Sequence, residues 1–296
     1  AAVASYKLVG KKDKIAADKA AVDSMRNELN KLNVDGKIVI GEGELDEAPM
    51  LYIGEKVGTT RGPEIDIAVD PLEGTNFAAN NLPGALSVIA IAEKNNLFHA
   101  PETYMEKISA KVNEKGVVDL DYSTKENIFN LCEYLNKKPE SITACIMDRP
   151  RHKDIIDELN ILGVKIKLIT DGDVSGALLV TDDKYGVDIF LGIGGGPEGV
   201  LASAALDTFE CSFQGRFLFH TEEDKRRANK MGITNLSKKY ELDEIVKGDS
   251  IFCATGITSG DLVSGIITEN NKFITETLVT HKSTGLKKII KKVVNR

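Results

Sequence analysis

Two carboxylates and a hydroxyl fall within six residues, Asp70-Pro71-Leu72-Glu73-Gly74-Thr75, directly after the apolar alternation Ile65, Ile67, Val69. A strand ending on Asp70 can turn that acid and Glu73 toward one hard cation, which prefers oxygen ligands. Pro71, with no N–H to donate, is expected to stop the strand ladder, and Gly74 permits a tight turn toward a helix. Thr75 then stands at a helix N-terminus, a place that favours water or an anion. Ordinary turn chemistry uses the same residue types, so a plain turn stands beside the metal reading.

Further acids lie against the local pattern. Glu42 and Glu44 follow the apolar run Ile38, Val39, Ile40 in Gly41-Glu42-Gly43-Glu44, where glycines let a backbone approach a ligand closely. Upstream, residues 15–32 read as an amphipathic helix with an apolar stripe of Ile15, Val22, Met25, Leu29 and Leu32. Asp18 falls on that stripe. A buried carboxylate is protonated, paired or metal-bound, since leaving it unpaired costs several kcal/mol, roughly. The alternative is a helix-start position open to solvent, or an ion pair with Lys14 one turn away.

These elements sit in a chain of 296 residues, 42% hydrophobic, long enough for one large or two ordinary domains. Acidic residues outnumber basic ones 45 to 38, which gives nucleic acid no electrostatic footing. Cys132, Cys145, Cys211 and Cys253 lie far apart, the pattern of free thiols in a reducing compartment. No apolar run approaches the roughly 18 residues that cross a bilayer, and the first residues lack a signal peptide's basic start. A cytoplasmic protein without membrane attachment is expected.

The first half alternates: helix 15–32, strand 37–40, a helix from Pro49, strands 65–70 and 86–92, then a loop-rich stretch. The second half reads as strand 142–147, helix 152–162, strand 164–169, helix 173–180, strand 187–193 and helix 198–209. Alternation of this kind predicts an α/β fold with a largely parallel sheet. The polar segment Asn136 to Ser141 is the expected boundary between a metal-binding domain over 1–140 and a second α/β domain over 141–296. The run from Glu222 to Arg227 reads as a solvated helix face or loop. Lys287, Lys288, Lys291 and Lys292, interleaved with Ile289, Ile290, Val293 and Val294, predict a short docked C-terminal helix.

Three strand ends of the second half carry candidates. In Asp148-Arg149-Pro150-Arg151-His152, two guanidinium groups beside a rigid proline can grip a phosphate, or can pair with Asp148 and Asp154 on the surface. In Thr170-Asp171-Gly172-Asp173, one aspartate is expected to cap the next helix, while paired carboxylates also suit sugar hydroxyls. Gly194-Gly195-Gly196-Pro197-Glu198-Gly199 supplies glycines between a strand and a helix, a dinucleotide signal, yet Glu198 puts a negative charge where pyrophosphate would lie. At a helix start Glu198 suits a cation, or merely complements the helix dipole. The four histidines show no metal-ligand spacing, and there is neither a nucleophile elbow nor a Walker motif. An acid-rich, histidine-poor set suits Mg²⁺ or Mn²⁺.

From Tyr6 onward the chain resembles the bacterial class II fructose-1,6-bisphosphatases. The resemblance is carried by residues 41–52, Asp70 to Thr75, Ala100-Pro101-Glu102-Thr103-Tyr104-Met105-Glu106-Lys107, Asp171-Gly172-Asp173-Val174 and residues 194–200. It implies the layered α/β/α/β/α sandwich of the lithium-sensitive sugar and inositol phosphatases. It also implies a metal shell of Asp18, Glu42, Asp70, Glu73 and Glu198, with Thr75 and Asp46 orienting the attacking water. Lys14 would support the reacting phosphate or the ligand cage, and Glu42 would count among the catalytic groups as well as the metal ligands. Glu73, Gly74, Thr75, Tyr104, Arg149, Arg151, Asp171, Gly172 and Asp173 would hold the substrate; Arg149 departs from the lysine usual in the family. The activity implied is Mn²⁺- or Mg²⁺-dependent hydrolysis of fructose 1,6-bisphosphate in gluconeogenesis by a homodimer or homotetramer. Sedoheptulose 1,7-bisphosphate, an inositol phosphate, or a role as a non-catalytic sugar-phosphate-binding regulator are the alternatives.

Overall fold

The computed structural model describes residues 1–41 and 51–295. Along the chain run α1 (Ala2–Tyr6), α2 (Lys14–Leu29), β1 (Asp35–Ile40), β2 (Lys56–Val57), β3 (Glu64–Glu73), α3 (Thr75–Asn80), β4 (Leu86–Glu93), β5 (Tyr104–Ala110), α4 (Thr124–Leu135), β6 (Thr143–Met147), α5 (Lys153–Ile161), β7 (Lys165–Ile169) and α6 (Asp173–Leu178). There follow β8 (Ile189–Gly195), α7 (Gly196–Thr208), β9 (Ser212–Leu218), α8 (Glu222–Lys230), β10 (Lys239–Glu241), α9 (Leu242–Ile245), β11 (Ser250–Gly256), β12 (Ile267–Glu269), β13 (Lys272–His281) and β14 (Leu286–Asn295).

Contacts gather in two units, Ala1–His99 with Val246–Arg296, and Ala100–Ile245. The segment Asn136 to Ser141, expected as a boundary, lies inside the second unit between α4 and β6. Continuity of one sheet outweighs its polar composition: β5, which precedes it, and β8, which follows it, pair along their whole length.

In the first unit the strand order is β12-β13-β11-β4-β3-β1-β2, with β14 on β13. Among the described residues only β1 and β3 run parallel there. The second unit has the order β10-β9-β5-β8-β6-β7, in which β6, β7 and β8 run parallel and the other pairings are antiparallel. The α/β class therefore holds, while the largely parallel sheet is replaced by two mixed ones. The stretch read as loop-rich holds β5 and α4, and the antiparallel strands β9 to β13 escaped the reading.

Local chemistry explains most boundaries. Asp13 caps α2 by accepting from the Ala16 N–H at 2.9 Å, and Ala17, Ala21, Val22, Met25 and Leu29 form its buried stripe. Ile15, predicted on that stripe, is 83% exposed, and Leu32 lies beyond the helix and is exposed. A capping box of Ser123 and Glu126 starts α4, and Asn136 ends it in the left-handed region. The charge run from Glu222 opens α8, a helix on which Ala228 alone is buried.

The C-terminal segment is β14, not a helix. It pairs with β13 residue by residue, from Lys272 opposite Asn295 to His281 opposite Leu286. Pairs of β-branched residues between the lysines favour extended backbone, and the adjacent strand offers a full ladder. The helix expected from Pro49 begins outside the described residues, and β2 follows at Lys56. Among the described residues no helix is long and apolar enough to cross a membrane.

Candidate active site

In the first unit the Asp70–Thr75 motif is a bulged strand end. Asp70 lies opposite Val88 and Glu73 opposite Leu86, so three steps along β3 face two along β4. Pro71 thus does not stop the strand. The bulge absorbs its missing N–H and the ladder resumes at Glu73. Asp70 Oδ1 accepts from the Leu72 N–H at 3.1 Å, which braces the bulge, while Thr75 Oγ1 donates to the Leu72 carbonyl at 3.2 Å. Gly74, at φ 76°, supplies the left-handed turn into α3. Glu73 is 5% exposed, a burial no isolated surface turn would give it.

The helix bearing Lys14 and Asp18 is packed on this bulge. Ala17 and Ala21 of α2 share one buried cluster with Leu72, Phe77 and Ala78. The loop before α2 is tied to α3 as well, Gly10 and Lys12 donating to the carbonyls of Ala78 and Ala79, both at 2.9 Å. Asp18 is half-buried, and burial pushes its carboxyl above the usual range. Lys14 is exposed and makes no ion pair with Asp18 among the described residues. Glu42, Glu44 and Asp46 lie outside the described residues. Among those described, no group of three His, Cys, Asp or Glu side chains is close enough to hold a metal ion by itself. The donors at hand in this unit, Asp18, Asp70 and Glu73, are all carboxylates, and Asp18 sits half-buried without an ion pair among the described residues. That chemistry fits a hard divalent cation.

In the second unit Tyr104, Arg149, Arg151, Asp171, Asp173 and Glu198 gather at one edge of the sheet. The carboxyl ends of the parallel β6, β7 and β8 supply all but Tyr104, and Tyr104 opens β5 opposite Gly195. Arg151 stacks its guanidinium on the Tyr104 ring at 4.8 Å, and its Nε and Nη2 donate to the Ile193 carbonyl at 3.0 and 2.8 Å. Arg149 Nη1 donates to the Asp148 carbonyl at 3.0 Å. Among the described residues neither arginine pairs with Asp148 or Asp154, so both positive charges remain available to an anion.

The fully buried His152 completes the brace. Its Nδ1 meets the Met147 carbonyl at 2.7 Å and its Nε2 accepts from the Ile193 N–H at 2.7 Å, which identifies the neutral Nδ1-protonated ring. Burial holds its pKa below the ordinary histidine value. Consecutive side chains of residues 151 and 152 thereby take both backbone groups of Ile193. His152 received no role in the sequence reading, where histidines were weighed only as metal ligands.

The glycine run serves carboxylates. A Cβ on Gly194 would stand 1.9 Å from Asp173 Oδ2, and one on Gly195 would stand 1.9 Å from Glu198 Oε2. Gly172, at φ 82°, occupies the cap position of α6 with no side-chain cap, so neither Asp171 nor Asp173 caps that helix. Asp171 Oδ1 accepts from the Gly172 N–H at 3.2 Å. Asp173 instead bonds Lys107, which also donates to the Gly195 carbonyl at 2.6 Å. Burial raises the Glu198 pKa most; Lys107 draws it down, and Asp173 and Asp171 push it up. Lys107 was missed because β5 lay in the stretch read as loop; its shared parity with the buried Met105 is the signal that would have found it.

An α/β chain with carboxylates on a bulged strand end, and arginines that form no ion pair among the described residues at the ends of parallel strands, has the character of a phosphoric monoester hydrolase. Residues 1–294 match the family described as bacterial fructose-1,6-bisphosphatase, glpX-encoded. The chain is 43% identical to fructose-1,6-bisphosphatase 1 class 2 of Escherichia coli K12, over 98% of this chain and 90% of that protein. It is 42% identical to D-fructose 1,6-bisphosphatase class 2/sedoheptulose 1,7-bisphosphatase of Synechococcus sp. JA-3-3Ab, over 94% of this chain and 88% of that protein. An enzyme of the same name from Prochlorococcus marinus AS9601 is 43% identical over 94% and 88%. The chain belongs to the bacterial class 2 fructose-1,6-bisphosphatase family.

Proposed function

We propose that this protein hydrolyses fructose 1,6-bisphosphate to fructose 6-phosphate and phosphate, with Mn²⁺ or Mg²⁺, as a step of gluconeogenesis. The observation that carries the reading is the bulge that presents Asp70 and the buried Glu73, with the helix that bears Asp18 packed on the same cluster through Ala17 and Ala21, in a chain matched along its length by this family. Asp18, Glu42, Asp70, Glu73 and Glu198 would hold the divalent ions. When bound, such ions offset phosphate charge and acidify a coordinated water.

The chain's own groups do the rest. The Thr75 hydroxyl donates to the Leu72 carbonyl, which leaves its oxygen lone pairs to accept from the attacking water, with Asp46 as the further acceptor. Lys14 supports the reacting phosphate. Arg149 and Arg151 bind the distant phosphate, Arg151 held in orientation by Tyr104 and Ile193. Asp171 and Asp173 accept from sugar hydroxyls across the Gly172 turn. No covalent phosphoenzyme is required.

Phosphate release from fructose 1,6-bisphosphate by purified protein, with Mn²⁺ or Mg²⁺ and then with EDTA, tests the assignment. No release with either ion sinks it. The names of the cyanobacterial relatives favour a second substrate, sedoheptulose 1,7-bisphosphate, and competition at equal concentration ranks the two. A cytoplasmic homodimer or homotetramer fits this reading.

A further inference from the structure

Lys107 is 1% exposed, one of the largest fully buried side chains of the protein. Burying an ammonium is tolerated only where hydrogen bonds and an opposite charge replace water. Both are present: the ammonium pairs with Asp173 Oδ2 and donates to the Gly195 carbonyl at 2.6 Å. Asp173 itself is 6% exposed, and its other oxygen, Oδ1, is buried with no hydrogen-bond partner among the described residues. A buried carboxylate oxygen without a donor is costly, so the arrangement is completed by a ligand that brings one. With Oδ2 engaged by Lys107 in the space left by the absent Cβ of Gly194, Oδ1 is the oxygen left for that ligand.

We propose that Lys107 is a positioning residue for sugar recognition: it fixes the Asp173 carboxylate so that Oδ1 is presented to a hydroxyl of the substrate. The inference rests on the sugar-bisphosphatase reading above, and it assigns to Lys107 no contact with substrate. Lysine suits the task because its three N–H donors can hold the carboxylate and the Gly195 carbonyl together.

The test compares two substrates on the metal-loaded enzyme, fructose 1,6-bisphosphate and p-nitrophenyl phosphate, which carries no sugar hydroxyl. Lys107→Met should raise KM for the sugar bisphosphate about 10- to 100-fold with kcat little changed, the loss expected of a charge-assisted hydrogen bond, and leave KM for p-nitrophenyl phosphate within about threefold. Equal changes on both substrates, or a lowered melting temperature with unchanged KM, would show a merely structural lysine and overturn the proposal. Should the single variant fail to fold, the double variant Asp173→Asn with Lys107→Met, which removes both buried charges, is compared with Asp173→Asn alone. The lysine change should then add less than about threefold to KM, because its effect runs through Asp173; a larger added effect overturns the inference. Wild-type protein inactive on fructose 1,6-bisphosphate sinks the functional reading, and this inference with it. Active wild type with an unaffected Lys107→Met variant sinks the lysine's role alone.

Discussion

The candidate residues of the two units are held by opposite means. In the first unit, Asp70, Glu73 and Thr75 are neighbours in sequence, held by one bulge and one left-handed glycine. In the second, Tyr104, Arg151 and Asp173 come from three separate segments, and two of them are held by partners that do no chemistry of their own: Ile193, itself fixed by His152, for the arginine, and Lys107 for the aspartate. The contrast suits a phosphatase. Ligands for a cation must stay free to reorganise around it, whereas discrimination between sugars needs acceptors whose positions are set before binding.

The sharpest way to break the comparison is at the bulge. Asp70→Asn or Glu73→Gln should lower kcat by roughly three orders of magnitude, about 4 kcal/mol of barrier, with far-UV circular dichroism unchanged. Activity retained in either variant would mean that the first unit does not carry the cations. On the other side, Arg151→Ala should raise KM about 10- to 100-fold and spare kcat, since contacts remote from the bond broken serve ground and transition states alike. A fall confined to kcat would contradict a phosphate-gripping role.

Smaller effects sharpen the same contrast. Gly194→Ala forces a methyl group against Asp173 and should cost about 1–3 kcal/mol in urea unfolding, together with a raised KM. Asp18→Asn should do the reverse in the first unit: relief of a half-buried charge raises the melting temperature of EDTA-treated protein by a few degrees, roughly, and erases the stabilisation that Mn²⁺ gives the wild type. The smallest signature belongs to His152. Its folded pKa lies below the unfolded value near 6.5, so the folded state binds fewer protons; its stabilisation is complete above that pH and is lost as pH falls below it. A urea midpoint that declines below pH 6.5 in the wild type, and less in His152→Asn, is expected; parallel declines would count against the locked neutral ring.

Much of this was legible before any coordinates. The helices over α2, α5, α6 and α7 followed from their apolar periodicity, and the parallel β6, β7 and β8 from their apolar runs and intervening helices, whereas α4, with its capping box of Ser123 and Glu126, lay in the stretch read as loop-rich. The candidate residues were legible wherever chemistry is local, as in Asp70 to Thr75. Failures arose where pairing across the chain overrode local pattern. The lysine–isoleucine alternation of residues 287–294 can serve a helix or a strand, and the ten-residue ladder offered by β13 decided for strand. Tyr104 to Ala110 could not be seen as a strand from its own composition, because its two neighbours, β8 and β9, lie some hundred residues away.

What the amino-acid order determined by itself was the stock of groups: carboxylates after apolar runs, arginines about a proline, glycines where a side chain would collide, and a family likeness along the chain. What only the tertiary structure decided was which of those groups are clamped. Whether the three glycines cradle a phosphate or make room for Asp173 and Glu198, and whether Lys107 faces water or a buried carboxylate, depends on strands that meet across the sheet. Such meetings are set by the packing of surfaces remote in sequence, about which local spacing carries no information.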